Sequence, residues 1–100
     1  MASGKVMNPS TIIVEMGTWS QIGSVDPNGG TLSVEKNITA KPGYTAYLTD
    51  MHLSGSATGN WSKIAYGYTQ DGNKVTIGVT NNHTGSLNPT LRYTIIYIAN

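Results

Sequence analysis

Apolar and polar residues alternate with a period of two along most of this chain, and Gly, Pro, Asn or Asp interrupts the alternation roughly every eight to twelve positions. Lys74–Thr80 is the clearest case. Val75, Ile77 and Val79 fall on one face, with Thr76, Gly78 and Thr80 on the other, which marks a strand with one buried and one wet side. Helical spacing is hard to find, whereas β-branched and aromatic residues recur in short runs. The pattern predicts strands at Thr11–Met16, Thr31–Ile38, Tyr44–Ser54, Ser62–Gln70, Lys74–Thr80 and Leu91–Ala99. Thr69-Gln70-Asp71-Gly72-Asn73 reads as the turn of a hairpin between two of them. Six such strands in 100 residues are expected to make one all-β domain, a six-stranded antiparallel β-sandwich.

The last strand departs from the simple alternation. Leu91, Tyr93, Ile95 and Tyr97 lie on one side, but Ile96 and Ile98 lie on the other. A two-layer sandwich has only one interior, so the second apolar side is expected to pack against another copy of the chain. A loop of the same subunit is the alternative cover.

Composition narrows the functional classes. Charged residues make up 11% of the chain, against an ordinary share of about 25%, and Thr, Asn, Gly and Ser carry the polarity instead. Hydroxyls and amides suit neutral polyols, while a net charge of +1 gives no footprint for nucleic acid or an anionic membrane surface. The absence of cysteine excludes disulfides and thiolate metal sites. No apolar run is long enough to span a bilayer as a helix, and the opening Met1-Ala2-Ser3-Gly4-Lys5 lacks the hydrophobic stretch of a signal peptide. Residues 1–10 are therefore expected to be an N-terminal arm or expression leader, and residues 11–100 the folded domain.

Acidic residues are scattered singly, so neither a carboxylate pair nor a nucleophile–base–orienter arrangement is visible, and binding is expected rather than catalysis, without a cofactor. Asp50 and His52 stand two apart on one strand, a spacing that suits a hydrogen-bonded pair; repeated about a trimer axis, His52 could also meet an ion. The Asn-x-Ser/Thr triplets at Asn37, Asn60 and Asn82 are chance products of this composition and are assigned no function.

The remaining motifs fall into an order. Gly17-Thr18-Trp19 is followed by Asp26-Pro27, Lys36-Asn37-Ile38-Thr39, Met51-His52-Leu53 and Asn60-Trp61-Ser62-Lys63-Ile64-Ala65. Asn82-His83 and Tyr93-Thr94-Ile95-Ile96-Tyr97-Ile98 complete the order. This series resembles the H-type lectin family, the GalNAc-binding domain of snail agglutinins and slime-mould discoidins. The resemblance implies a six-stranded antiparallel sandwich that assembles as a trimer, with sugar pockets at the boundaries between protomers. It also implies a place outside the cell or on a virion surface, since similar small sandwiches form the receptor-binding tips of phage tail fibres.

In that resemblance Asp26 corresponds to the turn carboxylate that accepts bonds from neighbouring sugar hydroxyls, and His83 to the corner histidine. Two positions depart from the family pattern. Asn82 stands where the snail lectin has an aromatic, and Lys63 lies near the family arginine, supplying a point charge without the planar fork. Trp61 is expected to replace the missing ring, and Ser24 to add a hydroxyl. The expected ligand set is thus Ser24, Asp26, Trp61, Lys63, Asn82 and His83, with Arg92 as an alternative cation. Three of these residues have a plainer reading, an Asx-turn for Asp26, a turn histidine for His83 and a solvated strand residue for Lys63, while Trp19 is expected to fill the core. A structural trimerisation or attachment module of a phage fibre, with no sugar site, is the alternative function.

Overall fold

The computed structural model describes residues 11–54 and 63–100. Among these residues six strands form: β1 (Ile12–Trp19), β2 (Gly30–Asn37), β3 (Tyr44–Ser54), β4 (Ile64–Asp71), β5 (Lys74–Asn81) and β6 (Thr90–Ala99). They pair antiparallel throughout, in two three-stranded sheets with orders β1-β6-β3 and β2-β5-β4. The all-β sandwich expected from the alternation is the observed architecture.

Each sheet turns its in-phase apolar residues toward the other. From the first sheet come Leu91, Ile95 and Tyr97 of β6 with Ala46, Leu48 and Met51 of β3; from the second come Val75, Ile77 and Val79 of β5. Fully burying a side chain of this size contributes about 1.5–3 kcal/mol, so the two central strands hold most of the cohesion. The β4–β5 hairpin closes through Gly72, whose φ of 61° in the first central position fits a type II′ turn.

Two strands differ from the sequence reading for identifiable reasons. β1 does not stop at Met16 but continues through Gly17, because the Tyr93 ring lies over that glycine: a Cβ there would fall 2.4 Å from the Tyr93 ring carbon Cζ. The same ring stacks on Trp19 at 4.2 Å between centroids, which leaves Trp19 half-buried at the sheet edge rather than in the centre of the core. In β3 the register shifts between Leu48 and Asp50. This bulge changes the phase, so that Ala46, Leu48, Met51 and Leu53 all point inward while Asp50 and His52 point outward.

Side chains close the seam between the sheets at β3 and β4. The Gln70 amide donates to the Ala46 carbonyl (2.8 Å) and to the Gly72 carbonyl (2.9 Å), and its oxygen accepts the Leu48 N–H (2.9 Å). Beside it the Tyr68 hydroxyl donates to the Leu48 carbonyl at 2.7 Å. A carboxamide thus pairs with the free edge of β3 as a neighbouring strand would, blunting that edge against other chains. On β1 the inward-facing Glu15 meets Lys41 at 2.9 Å, and the Lys41 ammonium stands 5.0 Å from the centre of the Tyr97 ring. The hydrogen bond to Glu15 raises the Lys41 pKa, while burial raises that of Tyr97, whose hydroxyl donates to the Thr39 carbonyl at 2.7 Å.

Two outcomes follow for stability. Gln70→Ala removes one acceptor and two donor contacts and should lower the unfolding free energy by about 1–3 kcal/mol, measured by urea titration, with faster hydrogen exchange at the Leu48 amide. Alkali should also destabilise the fold. A phenol that holds its proton longer when folded than when unfolded makes stability fall once pH passes the ordinary tyrosine value near 10. Tyr97→Phe should flatten that alkaline slope while costing about 1 kcal/mol at neutral pH.

Candidate functional site

The two segments that join the sheets cross together. Residues 20–29, between β1 and β2, run antiparallel to residues 82–89, between β5 and β6. The Ile22 N–H donates to the Pro89 carbonyl at 2.9 Å, and Val25 and Leu87 exchange bonds of 2.7 and 3.2 Å. The Gln21 and Gly23 amides are met by side chains, the Thr90 hydroxyl at 3.0 Å and the Asn88 carbonyl oxygen at 2.9 Å. Further along, the Asn28 N–H donates to the His83 carbonyl (2.8 Å) and the Gly29 N–H to the Asn81 carbonyl (2.7 Å).

Asn81 is the centre of this crossing. It is fully buried, its amide donates to the Val25 carbonyl at 3.0 Å and the Gly85 carbonyl at 2.9 Å, and its oxygen accepts the His83 N–H at 2.9 Å. One carboxamide therefore ties both linkers to the end of β5. The sequence reading did not single it out. Its signal was positional: Asn81 continues the phase of Val75, Ile77 and Val79, so a polar residue stands where the alternation calls for a buried one.

The expected site residues gather at this crossing. Asp26 opens a turn in which Asn28 and Gly29 take φ values of 60° and 92°. Gly30 closes it, because a Cβ there would come within 2.3 Å of the Asp26 carbonyl oxygen. The Asp26 side chain is exposed, and among the described residues nothing pairs with its carboxylate, so the Asx-turn alternative is not adopted. His83 is half-buried and its ring is oriented by backbone: the Gly85 N–H donates to Nδ1 at 2.9 Å. That bond makes Nδ1 an acceptor, so the neutral ring carries its proton on Nε2. Asn82 is exposed, and its N–H donates to the Lys63 carbonyl at 2.9 Å, which fixes the start of β4 against the corner. Ser24 is exposed beside the Val25–Leu87 bridge, and the Lys63 side chain is also exposed. Trp61 lies outside the described residues.

Five of the six expected residues therefore belong to one crossing, linked by main-chain bonds. Together they offer an ionised acceptor, a hydroxyl, a carboxamide, an imidazole N–H donor and an ammonium, a mixture that matches the donors and acceptors of vicinal hydroxyls. Among the described residues no three His, Asp or Glu side chains gather as a metal site. Asp50 and His52 lie elsewhere, on the outer face of the first sheet, with Oδ2 and Nδ1 2.9 Å apart, the hydrogen-bonded pair their spacing suggested. Arg92 stands opposite His52 on that face, away from the crossing.

Comparisons with family models, curated proteins and solved structures found no match to this chain.

The buried carboxamide makes a sharp prediction. Asn81→Ala should cost about 2–4 kcal/mol, leaving the Gly85 carbonyl and the His83 amide without their partner and the Val25 carbonyl with only the Leu87 N–H. Asn81→Asp, nearly the same shape, should be at least as damaging at neutral pH, because a carboxylate would face the Val25 and Gly85 carbonyls. Thermal unfolding checks both, with a fall of about 4–8 °C expected for each kcal/mol in a domain of this size.

Proposed function

We propose that this domain is a lectin-like adhesion module that binds terminal sugars such as GalNAc or Gal at the protomer boundaries of a homotrimer, outside the cell or on a virion surface. The observation that carries the reading is the convergence at one crossing: Asn28 bonded to His83 and Asn82 bonded to Lys63 bring the Asp26 turn, the histidine corner and a lysine together from three distant parts of the chain. No chemical step is involved. Asp26 accepts from sugar hydroxyls, His83 donates through Nε2–H, and Ser24, Asn82 and Lys63 complete the polar ring, with Trp61 as the proposed stacking surface.

Single sites of this kind are weak, since each water-exposed hydrogen bond returns about 0.5–1.5 kcal/mol net. Avidity then comes from repetition of the site in an assembly. The outer face of the first sheet supports assembly. Ile12, Val14, Tyr47 and Ile98 are exposed there by 56, 55, 47 and 41%, and among the described residues no loop of the same chain covers them. That same face favours the second reading, a trimerisation or attachment module of a phage fibre, because such a module needs the apolar face but no sugar.

A glycan array separates the two. The lectin reading expects selective signals from terminal GalNAc or Gal that drop at least about tenfold in both Asp26→Ala and His83→Ala, a loss of about 1.4 kcal/mol. Absence of selective signal with the wild-type chain favours the structural module. Light scattering is expected to report three times the chain mass, and Val14→Lys on the open face should reduce it to one.

A further inference from the structure

The outer face of the first sheet has a polar end that the sugar reading does not use. Antiparallel register places residues of three strands in rows across it: Ile12, Ile98 and Thr45; Val14, Ile96 and Tyr47; Met16, Thr94 and Asp50; and Thr18, Arg92 and His52. The first two rows are almost wholly apolar. Met16, Thr94, Thr18, Arg92 and His52 of the last two line a depression of about 240 Å³.

We infer that this depression is a binding site for a small hydroxylated carboxylate, the chemistry of a sugar acid, held by Arg92, Thr18 and His52.

Arg92 is the only arginine of the chain. Glu15 is engaged by Lys41, Glu35 by Lys74 and Asp50 by His52, and among the described residues the Arg92 guanidinium has no carboxylate partner. Its planar fork is therefore open to a carboxylate, which it can hold through two parallel bonds. Thr18 stands directly across from it on β1 and lines the same depression with a hydroxyl-bearing side chain.

His52 adds the second half of the recognition. With Nδ1–H donated to Asp50, the neutral ring keeps its lone pair on Nε2, which accepts from a ligand hydroxyl. A hydroxyl near a carboxylate then meets both groups at once, while Met16, 80% exposed, offers a soft apolar contact to a ring. Size limits the ligand. A volume of about 240 Å³ takes one ring, below the range of about 300–1,000 Å³ in which drug-sized ligands sit. Asp50 limits its charge: the carboxylate lies one row along, diagonal to Arg92, and repels a dianion more than a monoanion. A singly charged sugar acid satisfies every one of these constraints, whereas phosphate fails the last and a neutral sugar leaves the fork unused.

The test is a proton–nitrogen NMR titration of the whole chain with glucuronate, using glucose, sodium phosphate and sodium chloride as controls at matched ionic strength. Glucuronate is expected to shift the Arg92 side-chain Nε–H, the His52 ring and the Thr18 amide saturably, with glucose and phosphate at least about tenfold weaker. Arg92→Lys keeps the charge but loses the fork, and should weaken glucuronate at least about tenfold. His52→Ala should narrow the preference for glucuronate over acetate. Shifts no larger than those caused by chloride overturn the proposal, as do full glucuronate affinity in Arg92→Lys or shifts confined to the Asp26–His83 crossing. The site lies on a different face from that crossing, so the result does not depend on the lectin reading.

Discussion

The Asn81 carboxamide is the constraint around which the sandwich is organised. Two sheets joined only by apolar contact could slide or splay, because hydrophobic burial has no direction. A buried amide with two donors and one acceptor engaged has a single satisfactory position, and here its partners come from the linker before β2 and the linker after β5. The crossing of the two linkers, the shape of the Asp26 turn and the orientation of the His83 ring all depend on where that group sits. Side chains carried on irregular chain at this crossing thereby gain the rigidity of a core residue.

The opposite seam uses a different device for the same end. Gln70 and Tyr68 reach from β4 to the backbone of β3, so the sheets are stitched by side chain to main chain rather than by a shared strand. What remains unstitched is the outside of the β1-β6-β3 sheet, where isoleucine, valine and methionine meet solvent. The outside of the other sheet carries Thr31, Ser33, Thr76, Gly78 and Thr80 and has no such character. This asymmetry gives the molecule one face suited to association and one suited to water.

Much of the fold was legible because period-two alternation is a direct record of burial in a sheet. Each of the six expected segments overlaps an observed strand, β3 over the same residues and β1 with an extension past Met16 to Trp19. The failures have local causes. Glycine at position 17 reads as a stop until the Tyr93 ring is seen to require it, and that contact joins residues far apart in the chain. Asp50 and His52 share a face under simple alternation, but only the bulge after Leu48 decides that the face is the outer one. At the candidate site, the turn and the corner were recognisable as separate motifs, while the bonds that join them are main-chain contacts with no residue signature. Asn81 was readable by phase alone, and a buried polar group in a strand is the kind of exception that alternation flags without explaining.

The strand order carries a consequence for how the molecule is made. Among the described strands β1 has one partner in its sheet, β6, so it has nothing to pair with there until a strand more than seventy residues further along has been synthesised. The β4–β5 hairpin, with its tight turn, can form early, whereas closure of the first sheet waits for contacts of long sequence separation. During that interval Ile12, Val14 and Met16 travel on an unpaired strand, and the nascent chain is at its most adhesive toward its own copies on the same message.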